Sequence, residues 1–134
     1  MKSLSKKVLL ADDDMASRLI MKAALEQLGL EVAVAESGTE AVSAMLWGRF
    51  DIIITDLIMP KVDGWEVIRY ARETQKLAKI IAVSGGLAKR LEPDRALEVA
   101  SMVGADITLM KPVSPAQLQR EVNALLDRAD SAAA

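Results

Sequence analysis

Residues 50–66 read FDIIITDLIMPKVDGWE, and the fold is decided there. Ile52, Ile53, Ile54 and Thr55 form a short run of β-branched side chains with no polar alternation, the pattern of a strand covered on both faces. Asp56 ends the run and Met59-Pro60 begins a turn. Asp63 with Glu66 is then spaced as a capping box for a helix whose inner positions are Val67, Ile68 and Ala71.

The same unit recurs outward in both directions. Further strand-like runs lie at Val8–Ala11, Leu30–Ala35, Ile80–Val83 and Ile107–Met110. The Leu30 run is interrupted by Glu31 and Ala33, as suits an edge strand. Between the runs the apolar period lengthens to that of a helix. Ala16, Ile20, Ala23 and Ala24 share a face and Gly29 stops it. Ser37 and Glu40 form a capping box ahead of Ala41, Val42 and Met45. Pro93 opens a segment carrying Ala96, Ala100 and Val103, closed by Gly104. Ser114, Pro115 and Gln117 start a last helix with Leu118, Val122 and Leu125 as its stripe. Trp47 and Trp65 are expected to pack partly buried, and the methionines to fill core. Five strand–helix units in alternation imply an α/β fold, a parallel sheet with helices on both faces and right-handed crossovers. Periodicity does not give the strand order.

Composition narrows the chemistry. With 134 residues, 51% of them apolar and only 3% aromatic, the chain suits one domain with an aliphatic core. Residues 1–128 are expected to form it, and the small, polar 129–134 a frayed tail. The absence of cysteine and histidine excludes disulfides, thiolate nucleophiles, Ser-His-Asp arrangements and a phosphohistidine intermediate on this chain. A net charge of −2 gives no basic face for nucleic acid; Lys6 with Lys7, and Lys89 with Arg90, read as solvated surface. No apolar run approaches the ~18 residues of a membrane span and no signal peptide is legible, so a cytoplasmic protein is expected.

What remains for chemistry falls at strand ends. Asp12 and Asp13 follow the first run, Asp56 ends the third, Ser84 the fourth and Lys111 the fifth. In an open α/β sheet the carboxyl ends of the strands bind ligands, so these side chains should converge on one edge. Each alone has an ordinary role: a helix cap for Asp12, Asp13 or Asp14, a turn residue for Asp56 or Ser84, a surface lysine for Lys111. Asp14 is expected to keep its capping role. Together, clustered carboxylates call for a hard divalent cation, and Mg²⁺ suits an all-oxygen set. A carboxylate nucleophile, a metal ion, a lysine and a hydroxyl donor are the parts of phosphoryl transfer. No Gly-rich phosphate loop accompanies them, so nucleotide binding is not indicated.

The segments VLLADDD, FDIIITDLIMPKVDGWE, IIAVSGG and GADITLMKP together resemble the receiver domain of two-component response regulators, over about Lys7 to Leu126. The resemblance implies a doubly wound, flavodoxin-like (βα)5 three-layer sandwich with strand order 2-1-3-4-5. It implies Asp56 as phosphoacceptor, and Mg²⁺ held by Asp13 directly, Asp12 mainly through water, Asp56 and the Ile58 carbonyl. The backbone at Ile58 and Gly85 would meet the phosphoryl group and Lys111 would pair with it. Ser84 would be the switch hydroxyl, and the Lys111–Pro112 bond cis. The implied partners are a histidine kinase or histidine phosphotransfer protein and a downstream protein, with no direct nucleic-acid or membrane contact. Such a domain is no enzyme beyond its own phosphorylation and dephosphorylation.

Two departures fall on the part that signals output. The switch position three residues before the lysine, usually Tyr or Phe, is Thr108, and the Ser84–Lys111 interval is longer than usual. Without the aromatic ring, the segment from Gly85 to Arg95 and the helix up to Val103 become the expected switch face. No effector sequence follows, so the chain reads as a stand-alone or an excised receiver. Two rival readings are a receiver-like adaptor that is never phosphorylated and a haloacid-dehalogenase-like phosphatase built on Asp12 and Asp14. The intact Asp13, Asp56, Ser84 and Lys111 set opposes the first. Ala16, where the second needs Thr or Val, opposes the other.

Overall fold

The computed structural model describes residues 5–59, 61–85 and 104–133, with side chains as far as residue 127. The described residues form β1 (Lys7–Ala11), α1 (Met15–Glu26), β2 (Glu31–Ala35), α2 (Gly38–Trp47), β3 (Ile52–Asp56), α3 (Gly64–Thr74), β4 (Lys79–Ser84), β5 (Ile107–Met110) and α4 (Pro115–Ala133). All strand pairs are parallel, and the order is β2-β1-β3-β4-β5. The order implied by the resemblance is thus the order of the sheet, with β2 at its edge. The segment opened by Pro93 lies outside the described residues.

Strand alternation splits the core into two layers. Leu9, Ala11, Ile53, Ile80 and Ala82 pack with Ala41 and Met45 of α2 and Val67, Ile68 and Ala71 of α3. Val8, Leu10, Ile52, Ile54, Ile81 and Val83 pack with Met21, Ala24 and Leu25 of α1 and Leu118, Val122 and Leu125 of α4. Gln75 closes the lower end of the first layer. Its buried amide donates to the carbonyls of Met45 and Gly48 and accepts from the Phe50 amide, tying α2, β3 and α3 together.

Several local expectations need correction. The buried face of α1 is Arg18, Met21, Ala24 and Leu25; Ala16, Ile20 and Ala23 face outward. Trp47, the last residue of α2, is 89% exposed, whereas Trp65 packs against the core as expected. Asp63 is the N-cap of α3 but makes no side-chain cap bond. In α2, Ser37 Oγ accepts from the Glu40 amide as a capping box requires, yet Glu40 reaches the amide of Glu36, one residue earlier than the pattern specifies. Helix α4 continues to Ala133, so the backbone beyond Ala129 is helical where its composition suggested a frayed tail. None of the described helices is long and apolar enough to cross a membrane.

Candidate functional site

Sheet register brings the strand ends together. Ala11 stands opposite Thr55, Asp56 opposite Val83, and Ser84 opposite Met110. The turns after the strands are pinned by backbone bonds from Asp12 N to Ala35 O, Leu57 N to Val83 O and Lys111 N to Ser84 O. Asp12, Asp13, Asp56, Ser84 and Lys111 are thereby carried to one edge. Asp14 is not part of the cluster: its carboxylate caps α1 by accepting from the Ser17 amide at 2.9 Å.

Asp12, Asp13 and Asp56 each present a carboxylate oxygen within 4.8 Å of the others. Asp13 is exposed, whereas Asp12 is 0% and Asp56 6% exposed. Three like charges at this distance repel strongly in a low-dielectric edge. Lys111 offsets part of this, with Nζ 2.9 Å from Asp56 Oδ2 and 3.0 Å from Asp12 Oδ2. The Asp56 contact is a hydrogen bond. The Asp12 contact is an ion pair, and Asp12 Oδ2 is buried with no other polar partner among the described residues. Asp12 Oδ1 accepts from the Asp14 amide at 2.9 Å, and Asp56 Oδ1 from the Ile58 amide at 3.2 Å.

Burial pushes the Asp56 carboxyl above its ordinary range, although the Lys111 ammonium and the Ile58 amide pull it down; the nearby Asp12 charge adds to the rise. Lys111 loses solvation as well, but its two carboxylate partners outweigh that and hold its pKa above the usual lysine value. An all-carboxylate set with an under-satisfied buried oxygen fits a hard divalent cation. Ser84 Oγ is also buried and has no hydrogen-bond partner among the described residues, leaving a hydroxyl free to donate beside the cluster.

Two glycines make the geometry possible. A Cβ on Gly64 would lie 2.1 Å from the Asp56 carbonyl oxygen, so α3 starts directly against the end of β3 only because Gly64 has none. A Cβ on Gly85 would meet the Lys111 side chain at 2.7 Å, so the lysine stem crosses bare backbone on its way to Asp56. Sequence reading singled out Gly85 for its backbone but assigned Gly64 nothing, and it missed Arg18, which is buried beside Asp12. The Lys111–Pro112 bond is cis. Thr108 sits on β5 opposite Ala82, half-buried. The expected switch face lies outside the described residues except for Gly85 and includes Lys89, Arg90 and Val103.

A family model described as the response regulator receiver domain matches residues 8–123. Among curated proteins, the chain is 32% identical over 130 residues to the alkaline phosphatase synthesis transcriptional regulatory protein PhoP of Bacillus subtilis, covering 97% of this chain and 52% of that protein. It is 37% identical over 123 residues to the transcriptional regulatory protein ResD of the same organism, covering 92% and 49%. The chain therefore spans about half the length of these relatives. Among solved structures, a CheY-like receiver domain protein of Methanospirillum hungatei superposes with a TM-score of 0.85 at 27% identity, covering 96% of this chain and 98% of that one. The receiver domain of a Pseudomonas aeruginosa sensor histidine kinase, with a magnesium ion coordinated in its active-site cleft, gives 0.79 at 28% identity, covering 92% and 99%.

Proposed function

Because the chain belongs to the response regulator receiver domain family of two-component signalling, we propose that it accepts a phosphoryl group on Asp56 and thereby switches a surface read by a downstream protein. The observation that carries this reading is the placement of Lys111 between the buried carboxylates of Asp12 and Asp56. A half-buried lysine, clustered acids and a hydroxyl with no hydrogen-bond partner among the described residues have little use in packing and a direct one in phosphoryl transfer.

In the proposed step an Asp56 carboxylate oxygen attacks phosphorus as the P–N bond of a donor phosphohistidine breaks. The bonding pair leaves with the imidazole, and Asp56 becomes an acyl phosphate. A small acyl phosphate donates in the same way, with P–O cleavage and a carboxylate as leaving group. Hydrolysis reverses the modification: a water oxygen bonds to phosphorus, the Asp56 carboxylate departs and inorganic phosphate is released. In this reading Lys111 Nζ pairs with the phosphoryl oxygens and Ser84 Oγ donates to one of them. The backbone at Ile58 and Gly85 would face the same group. Asp12, Asp13, Asp56 and the Ile58 carbonyl are the groups that would hold Mg²⁺. When bound, the ion supplies positive charge that offsets the carboxylate and phosphoryl oxygens.

The donor, a histidine kinase or histidine phosphotransfer protein, must bring its phosphohistidine to this edge. The outward face of α1 beside it carries Met15, Leu19 and Ile20, all more than half exposed. Next to that face, a concavity of about 460 Å³ is lined by Ile20, Met21, Gly85, Lys111, Pro112 and Val113. An apolar surface opening onto the lysine suits the apolar face of a donor helix. The relatives' names concern transcription, but for this chain we propose a protein partner rather than nucleic acid.

Incubation with acetyl phosphate, with and without Mg²⁺, followed by intact mass tests the reading. One phosphoryl group gained only with Mg²⁺ is expected. No uptake under either condition would leave the adaptor reading standing, and steady turnover of phosphomonoesters the phosphatase one.

A further inference from the structure

Arg18 is a charged residue on the inner face of α1, with its side chain 9% exposed. Its guanidinium forks between two acceptors. Nη1 donates to the carbonyl of Asp12 at 2.8 Å, and Nη2 to Glu36 Oε1 at 3.2 Å. Glu36 follows β2 and is itself held by a bond from its amide to Glu40 of α2. Arg18 therefore straps the residue after β1 to the residue after β2.

The carbonyl it holds belongs to the planar peptide joining Asp12 to Asp13. Fixing that plane limits both ψ of Asp12 and φ of Asp13, and hence the directions in which the two carboxylates leave the backbone. The other side of Asp12 is fixed too, by its amide to Ala35 O and its Oδ1 from the Asp14 amide. A planar fork that reaches two acceptors at once is an arginine property; lysine offers a single ammonium.

We propose that Arg18 is a positioning residue for the cation site: it aims Asp12 and Asp13 through the peptide between them and contributes no ligand of its own. The proposal rests on the reading that these carboxylates hold Mg²⁺. It makes a prediction whose sign separates it from a plain charge effect. By Coulomb's law alone, deleting a buried cation beside the cluster should tighten Mg²⁺ binding. Deleting a positioning group should weaken it, as removal of outer-shell partners weakens metal affinity by about 10–100-fold.

Calorimetric Mg²⁺ titration of the parent, Arg18→Met, Arg18→Lys and Glu36→Gln, each checked for folding by circular dichroism, tests this without any turnover measurement. Arg18→Met is expected to bind about tenfold more weakly. Arg18→Lys keeps the charge and one donor and should recover part of the loss. Glu36→Gln keeps an acceptor for Nη2 and should stay near the parent. A folded Arg18→Met that binds as tightly as the parent, or more tightly, overturns the proposal. Should Arg18→Met not fold, Arg18→Lys decides: weaker binding supports positioning, and parental binding overturns it. A parent that binds no Mg²⁺ overturns the underlying reading of the site, and this proposal with it.

Discussion

Lys111 reaches Asp56 across the sheet edge, Nζ to Oδ2 at 2.9 Å, over a Gly85 backbone that leaves no room for a side chain. The same ammonium faces Asp12, so one cation serves two buried carboxylates. Replacing it with Lys111→Ala should slow phosphoryl uptake from acetyl phosphate about 100-fold, the usual effect of losing a charged donor at a developing oxyanion. Mg²⁺ affinity should not fall, because a competing cation has been removed. Uptake at the parental rate would contradict the role given to the lysine.

The raised pKa of Asp56 makes stability depend on pH. A carboxyl whose folded pKa lies above its unfolded value favours folding at low pH, and that contribution is lost as pH rises through the folded pKa. In EDTA, Asp56→Asn should therefore be more stable than the parent at neutral pH. The advantage should shrink on acidification and vanish below about pH 4, where the unfolded carboxyl also takes up its proton. Urea melts across that range check it; a variant less stable than the parent at pH 7 would show that burial does not govern this group.

Metal binding should reverse the order. Mg²⁺ that binds only the folded state stabilises it by about 2.7 kcal/mol at 100 times its Kd. The parent should gain stability when EDTA is replaced by Mg²⁺, and Asp13→Ala should gain little. Equal gains in both proteins would remove Asp13 from the ligand set.

Gly64 is packed directly against the backbone of the phosphoacceptor candidate. Gly64→Ala places a methyl carbon against the Asp56 carbonyl, and backbone cannot move aside as a side-chain tip can. Overpacking of this kind typically costs about 1–3 kcal/mol, and the upper end is expected here. The folded fraction should also lose phosphoryl uptake, because the end of β3 must shift. A melt within about 0.5 kcal/mol of the parent, as for an ordinary surface change, would contradict the contact.

Much of this was legible in the sequence, for identifiable reasons. Ile52–Ile54 and Ile80–Val83 are central and buried on both faces, so their apolar runs are unbroken and unambiguous. The chemistry could be found because Asp12, Asp13, Asp56, Ser84 and Lys111 each follow such a run directly. Strand order came from motif resemblance, since no local pattern encodes which strands are neighbours. Hydropathy failed where a residue's burial defies its type. Arg18 is buried by two acceptors, one just before its own helix and one beyond β2, and once it turns inward, Ile20 and Ala23 must turn out. Trp47 failed the same way in reverse: it is a large apolar ring left in solvent at the last residue of α2.

Identification of the modified residue bears most directly on the proposal. After acetyl phosphate and Mg²⁺ treatment, borohydride reduces an aspartyl phosphate to homoserine, which peptide mass spectrometry locates. Homoserine at position 56 in the parent, and none anywhere in Asp56→Asn, is the expected result. Homoserine at position 12 or 13, or labelling of Asp56→Asn to the parental extent, would contradict it.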